Sequence, residues 1–316
     1  MSHELTIRRD GQVEMAYTHE IPWHGLGTRV EVGAPLEQWI TAAGMEWTAE
    51  EANVEFAPPG CERRSITDRK VLYRSDTAAP LGIVSTDYHR VQPQEVIEFF
   101  RDLIESLGLN MATAGTLFGG RKMWATGFIG EESVVDDRDL VRGYLLLSTS
   151  LDGSMASTAR FTSTRVVCNN TLQMAHGETG GRPIVRVLHS TNFNASKVKE
   201  KLGVAPKTYQ AFMSDIRKLA NREITGDVAE SLCEKLELTE DGKNAKRVME
   251  LFAGEAAGSE FTGSEGTAWG WLNAVTQFVD HDRKAMSDSH RMNSATFGRG
   301  DTMKSNALKI ALSLVD

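Results

Sequence analysis

Between Ser157 and Thr171 the chain carries two arginines, six Ser/Thr hydroxyls and two carboxamides, with no acid among them. Such a run presents many hydrogen-bond donors and net positive charge. It suits a ligand covered with anionic oxygens, such as a nucleic-acid backbone, because a guanidinium grips phosphate in a bidentate way and hydroxyls and amides add further contacts. On this reading Arg160 and Arg165 hold phosphates, Thr162, Ser163, Asn169 and Asn170 donate hydrogen bonds, and Phe161 stacks on a base. The alternative is a Ser/Thr-rich strand with ordinary surface arginines.

A second basic group lies upstream. Gly119-Gly120-Arg121-Lys122 reads as a hairpin tip with Trp124 two residues on. A cationic turn beside an aromatic can hold backbone and stack a base; alone, it reads equally as a solvated turn with Trp124 in the core. Arg182 and Arg186 extend the basic set. Net charge is −8, but Arg142–Arg186 carries five arginines against Asp152 and Glu178. The local field, more than the total, decides whether phosphate is attracted.

Other chemistry is incomplete. His19 and His24 have a metal-like separation but no accompanying Cys or carboxylate pair. His89, beside Asp87 and Tyr88, has no nucleophile to serve. Cys168 next to Asn169 and Asn170 is flanked by Val166 and Val167, the setting of an inert thiol. Gly298–Ser305 ends in Lys-Ser like a phosphate loop but lacks the glycine before the lysine. Asp136-Asp137 reads as a solvated pair. No complete catalytic constellation emerges, and neither metal nor cofactor is expected.

The elements that must carry these residues follow from patterning. At 316 residues and 41% hydrophobic composition the chain can bury a full core. We divide it into an α+β core over 1–190 and a helical region over 191–316. Val96, Ile97, Phe100, Leu103, Ile104 and Leu107 recur at helical spacing between Pro93 and Gly108. Asn110–Phe118 and Met123–Phe128 read as a hairpin, Leu140–Ser148 as a strand, and Val54–Phe56, Lys70–Tyr73 and Leu81–Val84 as earlier strands. Leu36–Ala43 reads as a short helix, and Arg182–Leu188 as a returning strand. The Ser157–Thr171 run is either a strand or, as we prefer, leads into a helix over Arg165–Ala175 capped by Thr164. Beyond Asn192 helices are predicted at Ala195–Leu202, Lys207–Asn221, Asp227–Leu236, Lys243–Phe252, Thr267–His281 and Met303–Leu314, with Asp282–Asp301 a polar stretch. The fold class is α+β: an antiparallel sheet with a packed helix, then a helical C-terminal region. No apolar run spans a bilayer, Met1–Asp10 is unlike a signal peptide, and the unpaired spacing of Cys61, Cys168 and Cys233 suits reduced thiols in the cytoplasm.

Three motifs together carry a resemblance: Pro22-Trp23-His24-Gly25-Leu26-Gly27-Thr28, Arg165-Val166-Val167-Cys168-Asn169-Asn170-Thr171-Leu172, and Ala268-Trp269 with Ala274-Val275-Thr276 and Val279-Asp280-His281. The chain resembles the phage/plasmid-like family built on DUF932, a domain of unknown function, over nearly its whole length, Phe297-Gly298 and Lys304 included. The resemblance implies a mobile-element setting. The predicted architecture is also similar, as a fold-level analogy, to the RecT/Red-beta/Rad-type single-strand annealing proteins. The expected function is therefore single-stranded DNA binding, with strand annealing in phage-type recombination, by a homo-oligomeric ring or filament. Phage or host recombination proteins would meet its helical part. The alternative is a non-catalytic protein-binding factor of a mobile element, acting through its acidic surface, for example in counter-defence.

Overall fold

The computed structural model describes residues 5–19, 21, 25–135, 139–165, 171–173, 185–187, 205–238, 242–257, 259 and 265–315. Two short strands come first, β1 (Met15–Tyr17) and β2 (Thr28–Arg29), paired in parallel. Helix α1 (Leu36–Ala42) follows Pro35 and buries Trp39. Strands β3 (Ala49–Phe56), β4 (Arg64–Arg74) and β5 (Pro80–Ser85) form a small antiparallel sheet.

Helix α2 (Pro93–Ser106) forms where the apolar stripe predicts it. The Gln92 N–H donates to Glu95 Oε2 at 2.9 Å, closing a capping box, and Pro93 takes the first turn, where no N–H partner is needed. Val96, Ile97, Phe100, Leu103 and Ile104 are buried, and Gly108 ends the helix at φ +73°. Strands β6 (Asn110–Leu117), β7 (Lys122–Val135), β8 (Asp139–Ser150) and β9 (Ser157–Arg165) then run as an antiparallel meander. Two further strands, β10 (Thr171–Gln173) and β11 (Val185–Val187), pair with β9. The main sheet has the order β10–β9–β8–β7–β6–β1–β2. Helix α2 lies directly on it: a Cβ on Gly127 of β7 would come within 2.9 Å of Ile104.

The helical region contains α3 (Ala205–Asn221), α4 (Gly226–Lys235), α5 (Lys243–Phe252) and α6 (Ala268–Gln277), which continues as a π-helix over Phe278–Asp282. Helices α7 (Asp288–Phe297) and α8 (Arg299–Leu312) follow. Every residue of α6 is buried, as expected of a helix with apolar or small residues on all sides. One continuous core joins α2 and the inner sheet face, through Leu145 and Phe161, to Trp269, Trp271 and Leu308 of the helices. The α+β class and the helical C-terminal region are as the sequence predicts. Among the described residues no helix is long and apolar enough to cross a membrane.

Four expectations change. The helix preferred over Arg165–Ala175 is not seen at the described residues: Arg165 ends β9, and Thr171–Gln173 pair as a strand with Thr164, Ser163 and Thr162. The Ser/Thr-rich β9 loses less side-chain freedom in a strand than in a helix, and it extends the β8 ladder over eight register pairs. Helix α7 occupies part of the expected polar stretch, and β1 and β2 were not foreseen. The main sheet is antiparallel apart from the β1–β2 pair. The segment Ala195–Leu202 lies outside the described residues.

The two sheets are joined by a buried ion pair. Glu14 is fully buried, and Arg74 of β4 donates to both its oxygens, Nη2 to Oε1 at 2.6 Å and Nη1 to Oε2 at 3.1 Å. Asp76 takes the other edge of the guanidinium, Trp47 lies 4.2 Å beneath it, and the Thr116 hydroxyl also donates to Glu14. Removing the arginine would leave a carboxylate uncompensated in the core. Arg74→Met should therefore lower stability by about 3–5 kcal/mol in urea denaturation. A loss below about 1 kcal/mol would show that water reaches Glu14.

Candidate functional site

Strand alternation sorts the predicted ligand residues onto two faces. Gly127, Leu145 and Phe161 are register partners, so Phe161 shares the face that α2 covers. It is 1% exposed and leaves no ring face for a base. Trp124, Ser148 and Thr158 align on the opposite face, with Lys122 and Arg160. That face is covered as well, by the end of α7 and the start of α8. Arg160 is 8% exposed; its Nη1 donates to Asp301 Oδ2 at 3.1 Å and its Nη2 to the Thr296 carbonyl at 2.5 Å. Thr162 and Ser163 are buried.

The hairpin tip divides in the same manner. Phe118, Gly119 and Gly120 all have positive φ and make the turn, leaving Arg121 exposed. Lys122 already belongs to β7 and is buried. Its ammonium donates to Asn293 Oδ1 of α7 and lies 4.8 Å from the Phe297 ring and 5.6 Å from Phe118. Burial pushes the Lys122 pKa below the ordinary lysine value, against a smaller opposing effect of Asp152. Trp124 is half-buried over Gly115 and, like Phe118 and Phe297, packs against the cluster of Leu5, Val13, Met15 and Leu117. Arg165 ends β9 and Arg186 of β11 is the register partner of Thr158 of β9, but both side chains lie outside the described residues, as do Asn169, Asn170 and Arg182.

The structure brings together a cationic group that the sequence reading passed over. Val279, Arg283, Lys284, Ala285, His290, Arg291, Asn293, Ser294, Gly298 and Arg299 line a cleft of about 360 Å³ between the π-helix, α7 and α8. None of these lining residues is an acid. Three acids close in sequence face elsewhere, Asp280 accepting from Lys304 (2.7 Å), Asp282 from Arg247 (2.8 Å) and Asp301 from Arg160, while the side chain of Asp288 lies outside the described residues. Arg283 and Arg291 are fixed in place: Arg283 Nη1 donates to Ser294 Oγ at 3.0 Å, and Arg291 Nε to the Arg283 carbonyl at 3.0 Å. Tight packing shapes the wall. A Cβ on Gly300 would come within 2.9 Å of both Ala295 and Val279. The available signal was the recurrence of Arg283, Lys284, Arg291 and Arg299 around a Ser287 helix cap.

The family model described as Domain of unknown function (DUF932) matches residues 80–296. The chain belongs to this family. No curated protein and no solved structure matches it. The DUF932 match is narrower than the sequence resemblance: it starts at β5, takes in α2, β6–β9 and most of the cleft, and stops short of Arg299. The Pro22–Thr28 motif lies outside the match, and its Pro22, Trp23 and His24 lie outside the described residues.

The depressed Lys122 pKa sets a pH dependence. Between that value and the ordinary lysine value the unfolded chain holds more protons at this site than the folded one, so stability rises with pH across the window. Tyr88, pushed up to about 12 mainly by burial and secondarily by Asp152, works in the opposite sense, removing stability only above the ordinary tyrosine value of about 10. Lys122→Met should flatten the rise on the approach to pH ~10, and urea melts at stepped pH measure it. An unchanged pH profile would mean that the ammonium is hydrated.

Proposed function

We propose that this DUF932 protein binds single-stranded DNA through its phosphates and anneals strands in recombination of the phage type. The observation that carries the reading is the cleft: Arg283, Lys284, His290, Arg291 and Arg299 around one concavity, with no acid among its described lining residues. Cationic clefts with low-dielectric walls focus the field on an incoming polyanion even when the net charge is negative. Arg121 supports the reading, since its hairpin is fastened through Lys122 to Asn293 in the cleft wall. Arg165, Asn169, Asn170, Arg182 and Arg186 remain proposed contacts. An annealer grips backbone and leaves base edges free to pair, which suits a site made of guanidinium and ammonium groups.

Assembly belongs to the same proposal. Ile83, Phe56 and Ile66 of the small sheet are 60%, 48% and 37% exposed. A second copy or a recombination partner would cover them in a ring or filament. They equally favour the alternative of a protein-binding factor, which the oligonucleotide titration separates.

Anisotropy titrations with single- and double-stranded oligonucleotides at stepped salt test the function. We expect single strands to be preferred, with affinity falling steeply between about 50 and 200 mM salt. Arg283→Ala with Arg299→Ala should flatten the logarithmic salt slope by about 0.7 per lost contact. No binding by folded protein at low salt would discard the reading in favour of a protein partner. Light scattering should show an oligomer at micromolar protein, enlarged by oligonucleotide; a monomer under both conditions overturns the assembly.

A further inference from the structure

The cleft wall offers donors in places where a side chain could equally have offered acceptors. Asn293 carries one of each, and Lys122 decides which faces out. The buried ammonium is bonded to Oδ1. Rotating the amide by half a turn would set its NH2 against the ammonium, donor to donor, in a site with little water. The orientation is therefore fixed by charge, and Nδ2 is the branch directed away from Lys122. Among the described residues no acceptor is bonded to it.

Ser294 is treated the same way. Its oxygen accepts from Arg283 Nη1 at 3.0 Å and from the Gly300 N–H at 3.2 Å. With both lone pairs taken, only the hydroxyl hydrogen is left to give. Lys284 and Arg299 are exposed, and their side chains are donors only. Asn293, Ser294, Arg283, Lys284 and Arg299 thus meet a ligand only as donors.

We infer that the cleft takes a phosphomonoester, the terminal phosphate of a nucleic-acid strand, with Asn293 as a donor to it and Lys122 as the positioning residue behind Asn293. This rests on the strand-binding reading. The chemistry selects it over a mid-strand phosphate. A monoester is an acceptor-only group with three oxygens and about −1.5 to −2 charges at neutral pH, whereas a diester in mid-strand has two free oxygens and one charge. A cleft of about 360 Å³ lies near the lower end of small-ligand sites, the size for one nucleotide end.

The test compares otherwise identical single strands bearing phosphate or hydroxyl at the 5′ end, then at the 3′ end, with inorganic phosphate as a separate thermal-shift probe. Wild-type protein should prefer one phosphorylated end by about tenfold, the effect of one charge-assisted hydrogen bond. Asn293→Asp should abolish the preference, because it turns the donor into an acceptor. It should also keep or raise Tm, because Lys122 gains a carboxylate partner, which a purely structural Asn293 would reproduce without the loss of preference. Arg299→Gln, at an exposed position, is the second variant and should weaken the preference with Tm unchanged. Strands that bind equally well with either end overturn the inference and leave strand binding standing. If no strand binds, the strand reading fails, and a phosphate-dependent rise in Tm, present in wild type and absent in Asn293→Asp, upholds the donor site alone. No rise overturns that too.

Discussion

A guanidinium withdrawn from water must be met by both charge and acceptors, and Arg160 is met by residues from the far end of the chain. Asp301 supplies the charge and the Thr296 carbonyl a second acceptor. Those two residues sit where α7 stops and α8 starts, so the pair fixes the corner between the helices against β9. Phe297, between them, contacts Lys122 and lies 5.9 Å from Arg160. The cleft is assembled on this corner: its wall is α7, its rim is Gly298 and Arg299, and neither has a defined place unless the corner is seated. A buried pair of this kind adds little net stability compared with apolar residues, but it is costly to break one-sidedly, and it tolerates few alternative arrangements.

The same logic explains which parts of the fold could be read in advance. Helix α2, the β6–β7 hairpin and β8 are each specified by local periodicity and by their own turn residues, and they form where expected. Strand β9 was harder because both its faces are covered: Phe161 turns to the core and Arg160 to α7 and α8. It therefore lacks the polar–apolar alternation that marks a half-buried strand, and Thr164 imitates a helix cap. Helix α7 escaped notice because Asp288–Phe297 is mostly Ser, Asn, His and charged residues, with a weak apolar face.

The misplaced ligand residues share one cause. A run without acids points to an external anion only when its cations meet no acid elsewhere, and the acid that meets Arg160 lies 141 residues downstream. Lys122 finds an amide and two aromatic rings instead of a phosphate, again from distant sequence. Pairing of this range leaves no local trace. Conversely, Arg283, Lys284 and Arg299 fall within the Asp282–Asp301 polar stretch, where acids at Asp280, Asp282, Asp288 and Asp301 stand close to them in the sequence. The carboxylates of Asp280, Asp282 and Asp301 turn to Lys304, Arg247 and Arg160, away from the cleft.

The separation of these partners bears on how the chain is made. Synthesis proceeds from the N-terminus, so β7 and β9 leave the ribosome 171 and 141 residues before Asn293 and Asp301 respectively. At about 5–20 residues per second that interval is on the order of ten seconds. Throughout it the nascent sheet carries two cations and the Trp124 side with no cover, while Met15, Leu117 and Phe118 wait for Phe297 to complete their cluster. A sheet in that state is open to chaperones and to misassociation. A ribosome stalled before α7 would release a chain with most of its core formed but one face exposed and charged.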